Sequence, residues 1–442
     1  MDIVKSIRDA PYESMLARRE VNFNVEKKAL DIVKQFLIKK KLVLYGGMAM
    51  DMAFRLKGSR LYDPADNKLE DYDFYSPDPI NDAYELADIL HKEGFPEVNA
   101  INALHVTTMR VRLGTKAVAD ISYIPPNIFK VIPTLKFKDP TSNDTYIIIN
   151  PLFQRIDLHE SLTEPVRDAP TEVYFNRFAK DIKRFRMLDE LYPIEEYLPK
   201  KYPKINLVDV IIPELSDILW VGYISYAIHC MQLTELYESS SKKIQDKHRE
   251  MFENILQLNI TKLDSDSQDL YVQIPKSRES EPLTMYADDF PDIVKKLQKQ
   301  YQLKISYYNT YLDRSRPRTI KLAGKQNFEI FDNARSTKTY IDVKVCGQSM
   351  KGASIQLTLM YFLQRYFEHD NQIHLIYYHH TLQIVKLTEL LLVDIAEEKP
   401  ESIRKQFLNK QMDNLTMFIC KKWYGKYNLG DSFSIQMQYV VS

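Results

Sequence analysis

The feature that most constrains this chain is the doublet Gly46-Gly47, set between the apolar run Leu42–Tyr45 and the helical periodicity of Met48–Leu56. Only 11 of the 442 residues are glycine, so two side by side mark a point where the backbone needs unusual freedom. A strand that ends in two residues without Cβ and turns at once into a helix presents main-chain N–H groups and the positive end of a helix dipole. An anion such as a triphosphate can approach such a turn closely.

Downstream, Asp71-Tyr72-Asp73-Phe74-Tyr75 alternates polar and aromatic residues as a strand does. Alternation puts Asp71 and Asp73 on one face, where two carboxylates repel unless a cation neutralises them. Asp120 lies inside the strand-like run Ala117–Tyr123 and shares its face with Val118 and Ser122, so this acid also needs a partner. A neighbouring strand would bring the three together. Three hard oxygen donors suit Mg²⁺ or Mn²⁺. Asp342 is the alternative third carboxylate, but it lacks proximity. The chemistry indicated is in-line attack on the α-phosphorus of a nucleoside triphosphate, with two metals ~3.5–4 Å apart. One would activate the attacking hydroxyl, and the other would hold the triphosphate and the departing pyrophosphate.

The remaining pattern predicts a mixed α/β (α+β) domain on a small sheet over the first two hundred residues. Asn24 can cap a helix to about Lys39, Asn81–Glu93 is helical, and His105–Leu113 and Ala117–Tyr123 read as strands around Gly114. Tyr192–Pro213, punctuated by proline, looks like a connection, and the chain beyond it reads as mainly helical with an acid-leaning loop before residue 300. Ile218–Leu233 is apolar but shorter than the ~20 residues of a membrane span, so it reads as a buried core helix. Strand-like pieces at Tyr340–Val345 and His374–Tyr378 mix with helices at Ser354–Phe367 and Ser402–Ile419.

Balanced charge, 60 Lys+Arg against 60 Asp+Glu, excludes a protein that coats nucleic acid in bulk. Cys230, Cys346 and Cys420 are in no ligand spacing, which argues against a zinc ribbon and for a reducing compartment. Charges throughout the first twenty residues argue against a signal peptide, so a soluble, intracellular protein is expected. His379-His380 would point to opposite faces of a strand and is a poor metal pair. Local basic clusters remain. Lys180 stands among Arg177, Lys183, Arg184 and Arg186 in a helix, where it could hold a triphosphate or primer. Arg314, Arg316 and Arg318 are interleaved with tyrosines that could stack on RNA bases, and Arg110 and Arg112 could meet phosphate from their strand. For each of these the alternative is a solvated charged face.

The stretches LVLYGGMAMDMAFRLKGSRLY, DYDFYSPDPINDAYELADIL, LHVTTMRVR and VADISYIPPNIFKVIPT resemble the poly(A) polymerase catalytic subunits of large DNA viruses. The African swine fever virus and giant-virus type is nearer and the poxvirus type more distant. The resemblance is dense over residues 20–190 and weak elsewhere. It implies a polymerase-β-like nucleotidyltransferase fold, in which Gly46 and Gly47 match the phosphate-contacting turn, Asp71 and Asp73 the metal-binding pair and Asp120 the third carboxylate. It implies transfer of AMP from ATP to the 3′ end of mRNA with Mg²⁺ or Mn²⁺, in the host cytoplasm at the viral factory, with virion packaging as a further location. It leaves open a homodimer or a separate stimulatory subunit. The organisation expected is an N-terminal arm (1–20), a catalytic domain (21–190), a mainly helical connection (191–300) and a degenerate nucleotidyltransferase-like domain (301–442). Two other readings stand beside it: nucleotidyl transfer to tRNA, a small molecule or a protein, and a binding subunit that no longer catalyses.

Overall fold

The computed structural model describes residues 23–63, 71–103, 107–163, 171–257, 263–266, 269–276, 281–308, 319–323, 326–332, 340–345 and 347–412. The chain divides into two compact units, Met1–Gln154 with Arg186–Tyr192, and Arg155–Phe185 with Pro193–Ser442. Among the described residues no helix is long and apolar enough to cross a membrane.

The first unit begins with α1 (23–40), β1 (Val43–Tyr45) and α2 (Gly46–Leu56). Then come β2 (Tyr72–Ser76), α3 (Pro79–Lys92), β3 (Val98–Asn102), β4 (Thr108–Leu113), β5 (Lys116–Tyr123), α4 (Pro126–Phe129), β6 (Thr134–Lys138) and β7 (Thr145–Ile149). The seven strands form one mixed sheet in the order β3-β4-β5-β2-β1-β7-β6. β1 runs antiparallel to β2 and parallel to β7, while β2 runs parallel to β5. One face is apolar: Met109, Ile121, Phe74, Leu44 and Ile148 stand opposite one another across five strands, and all are buried. Burying that row fixes the register, because a one-residue slip of any strand would turn its apolar set to the other side. α3 starts where the sequence says it can: Asp78 accepts a hydrogen bond from the Asn81 N–H, and Pro79 occupies the first turn, where no N–H partner is lost.

The chain continues through α5 (Pro151–Thr163) and α6 (Thr171–Leu191), both of which straddle the division between units. The second unit then follows with β8 (Leu207–Ile211), β9 (Ile218–Val221), α7 (Tyr223–Glu238), α8 (Lys242–Gln257), β10 (Leu263–Asp266), β11 (Asp269–Pro275) and β12 (Leu283–Ala287). After these come α9 (Phe290–Tyr301), β13 (Lys304–Tyr308), β14 (Thr319–Ala323), β15 (Phe328–Asp332), β16 (Tyr340–Val345), β17 (Gln348–Ala353), α10 (Ile355–His369), α11 (Gln372–Glu397) and α12 (Glu401–Met412). β8, β10 and β11 form a small sheet. The larger one has the order β13-β14-β15-β12-β9-β17-β16. Strand by strand, this order and its parallel and antiparallel pairings repeat those of the first unit. Even the cap recurs, with Asp289 accepting from the Asp292 N–H at the start of α9.

Three sequence expectations change here. Ile218–Leu233 is not one helix: β9 ends at Val221, Gly222 takes a positive φ of 69°, and α7 starts beyond it. A continuous apolar run carries no period that separates strand from helix, and the glycine is where the change occurs. His374–Tyr378 lies inside α11, so His379 and His380 are helix neighbours; their Nδ1 atoms meet the hydroxyls of Tyr202 and Tyr226 at 3.3 and 3.4 Å. The stretch 191–300 carries strands β8–β12 besides its helices, and two of them, β9 and β12, lie in the middle of the second large sheet.

Candidate active site

The face of the first sheet opposite the apolar row carries the charge. β4, β5, β2 and β1 place Arg110, Asp120, Asp73 and Tyr45 opposite one another in a single cross-strand row. Asp71 stands immediately before β2 on the Asp73 face, by the alternation read from the sequence. Asp71, Asp73 and Asp120 each offer a carboxylate oxygen within 4.8 Å of the others, a group that can hold a metal ion. Asp71 and Asp73 are half-buried and Asp120 is buried.

Gly46 sits against this group. Its φ of 72° belongs to the left-handed region, and a Cβ there would overlap the Asp73 carboxylate. Both the conformation and the close approach require glycine. Gly47 lies buried in the first turn of α2, whose N-terminus has no side-chain cap and no acidic residue. The doublet thus puts uncapped helix N–H groups next to the carboxylates.

Arg110 is committed within this structure. Its Nε and Nη2 donate to the two Asp120 carboxylate oxygens at 2.7 and 2.6 Å, a parallel bidentate pair. The Asp120 hydrogen bonds, with Asp71 and Asp73 also near, hold the guanidinium above its usual range against the effect of its own burial. Arg112 donates to the Asn99 Oδ1. Lys180 is exposed on α6 in the second unit. Arg314, Arg316 and Arg318 lie outside the described residues.

One part of the site escaped the sequence reading. Tyr45 stacks on Tyr75 with ring centroids 4.1 Å apart, and its hydroxyl is 2.7 Å from Ser122 Oγ, which is 2.8 Å from Thr108 Oγ1. This hydroxyl chain fixes the residue that precedes Gly46. Strand alternation places Ser122 on the Asp120 face, but nothing local tells that β1 would bring a tyrosine to it.

The same register positions in the second sheet carry different chemistry. Thr284 faces Val221, the residue before Gly222, and also faces Glu329; Lys321 faces Glu329 in turn. Asp71, Asp73 and Asp120 therefore correspond to Pro282, Thr284 and Glu329. Asp342, the alternative third carboxylate of the sequence analysis, lies on β16, the sheet edge equivalent to β6. The space over the Gly222 turn is filled: a Cβ there would meet the Tyr361 ring at 2.7 Å, and the Tyr361 hydroxyl lies 3.1 Å from Thr284 Oγ1. Arg365 of the same helix, α10, forms a salt bridge with buried Glu329. Protein side chains thus stand over the positions that carry the three aspartates in the first unit.

Residues 31–168 match the family described as poly(A) polymerase catalytic subunit. This segment holds the glycine doublet, all three aspartates and Arg110. Over 225 residues the chain is 40% identical to an African swine fever virus protein (isolate Tick/Malawi/Lil 20-1/1983) that carries poly(A) polymerase catalytic subunit as a provisional name. That match spans 51% of this chain and 45% of the relative. A protein of Acanthamoeba polyphaga mimivirus with the same provisional name is 28% identical over 175 residues, 39% of this chain and 28% of the relative. The chain thus matches less than half the length of these curated relatives. The crystal structure of the Megavirus polyadenylate synthase has the same fold, with a TM-score of 0.58 at 17% identity over 88% of this chain and 75% of that one.

Proposed function

We propose that this chain transfers AMP from ATP to the 3′-hydroxyl of RNA without a template, releasing pyrophosphate, and so builds poly(A) tails on mRNA. The observation that carries the reading is the convergence of Asp71, Asp73 and Asp120 within 4.8 Å beside the Gly46 turn. The donor set fits a hard divalent cation, since it offers only carboxylate oxygens and leaves positions for water and phosphate. Mg²⁺ or Mn²⁺ held by the three aspartates would lower the pKa of the primer hydroxyl and neutralise charge developing on the triphosphate. Around it, the protein's own groups bind and orient. Gly46 and Gly47 let the triphosphate approach the main chain, and the α2 N-terminus stabilises its charge. The Tyr45–Ser122–Thr108 chain holds β1 and the turn in place. Lys180 is proposed to contact triphosphate, and Arg112, Arg314, Arg316 and Arg318 the RNA backbone.

The test is primer extension with a short RNA, Mg²⁺ or Mn²⁺ and each NTP separately. Long tails made only with ATP support the proposal. Absence of incorporation while Mn²⁺ and ATP are demonstrably bound would overturn it. Asp73→Asn should lose extension yet retain RNA binding. Light scattering of the same preparation distinguishes self-association from dependence on a second subunit as the source of processivity.

A further inference from the structure

We infer that Arg110 is a positioning residue that trades Asp120 for phosphate: it is the resident counter-cation of the third carboxylate, and metal binding releases its guanidinium to an anionic group of the substrate. This rests on the metal-site reading of the triad. Both Asp120 oxygens accept from Arg110, at 2.7 and 2.6 Å. Yet the same carboxylate supplies one of the three ligand atoms that lie within 4.8 Å of each other. One carboxylate therefore faces two cations. A divalent ion placed among the three carboxylates repels the guanidinium that holds Asp120.

The arginine also has a way out. Its side chain is 35% exposed, against 10% for Asp120, so it can swing without dragging a charge through the core. The second unit shows what a permanent version looks like. There Glu329 is paired with Arg365, the two side chains are 1% and 3% exposed, and Pro282 and Thr284 supply no competing acids. Of these two pairs, the one in the first unit combines neighbouring carboxylates with an exit for the arginine. Once released from Asp120 on β5, the guanidinium remains beside the carboxylate cluster, where its planar donors match a phosphate, either of ATP or of the RNA 3′ end. Metal and phosphate binding are then coupled, and the coupling must be reciprocal.

The test measures Mn²⁺ affinity of the full chain by electron paramagnetic resonance without nucleotide, for wild type, Arg110→Gln, Arg110→Lys and Asp120→Asn. Removing the competitor should tighten Mn²⁺ binding about tenfold in Arg110→Gln, the scale of one partly exposed charge-assisted pair. Arg110→Lys, which keeps the charge without the bidentate fork, should fall between, and Asp120→Asn should weaken binding. A second readout follows a methylene-bridged ATP analogue and a 3′-blocked oligoadenylate, each with and without Mn²⁺. Arg110→Gln should weaken one of the two, identifying which phosphate is met, and only when Mn²⁺ is present. Unchanged or weaker Mn²⁺ affinity in Arg110→Gln would mean that Arg110 only orients Asp120, and would overturn the inference while leaving the metal site standing. Wild-type protein that binds no Mn²⁺ at all would overturn both. Should Arg110→Gln fail to fold, the sign of the Arg110→Lys shift decides.

Discussion

Replacing Arg365 with methionine should unfold the second unit far more readily than replacing both members of its ion pair. Arg365 and Glu329 side chains are 3% and 1% exposed, so their charges are almost fully desolvated. Arg365 also donates to Glu368 at 3.0 Å, and Thr284 donates to Glu329 at 3.2 Å. Arg365→Met keeps the packing volume but strands Glu329 without a counter-charge, a defect worth about 3–5 kcal/mol in buried pairs. Glu329→Gln removes the acid while Arg365 keeps Glu368, and should cost about 2–3 kcal/mol. The double variant replaces a buried ion pair with neutral groups, and should cost no more than about 1–2 kcal/mol. With two units in the chain, a single global unfolding curve is the wrong readout. Native-state hydrogen exchange of β15 (Phe328–Asp332) and α10 (Ile355–His369) reports the affected core directly. Additive costs in the double variant, or an Arg365→Met cost below about 1 kcal/mol, would refute the claim that Arg365 is the counter-charge buried Glu329 requires.

Gly46→Ala and Gly58→Ala both force a residue with Cβ into positive φ, 72° and 78°, but only at Gly46 would the new atom meet the Asp73 carboxylate; nothing lies near it at Gly58. Each should lose about 1–2 kcal/mol of stability, and only Gly46→Ala should also lose Mn²⁺ affinity; equal Mn²⁺ affinities would contradict the site geometry. Buried His159, with its ring nitrogens 2.7 Å from Gln356 Oε1 and 2.9 Å from the Tyr378 hydroxyl, has its pKa lowered to about 3, chiefly by desolvation. Unfolding would return it to ~6.5, so between those values the unfolded chain binds the extra proton and acidification destabilises. The second unit should lose about 2 kcal/mol between pH 7 and pH 5 from this group. Native-state hydrogen exchange of α10 (Ile355–His369), corrected for the intrinsic rate at each pH, should show the loss in wild type and a smaller one in His159→Gln; equal losses would remove His159 as the cause.

Much of the first unit's site was legible because its signals are local. A glycine pair after an apolar run, an Asp-x-Asp with aromatic alternation and an acid inside a strand each depend on a few adjacent residues. Strands β6 and β7 went unread, as did β3, since short segments become strands mainly through their partners. His374–Tyr378 has strand-like residues but belongs to a 26-residue helix, where burial on several faces outweighs intrinsic preference.

The glycine doublet and the three aspartates were thus determined by the sequence itself, through backbone freedom and side-chain alternation. Pairing was decided by the tertiary structure. That Asp120 faces Asp73 follows from the parallel register of β2 and β5, and that Arg110 faces Asp120 from the antiparallel register of β4 and β5. The second sheet makes the point from the other side. It repeats the topology of the first, but its acid is Glu329, its glycine is Gly222, and the cation comes from a helix that follows in the chain. Register between distant strands is fixed by which faces bury together, and no short stretch of sequence carries that information.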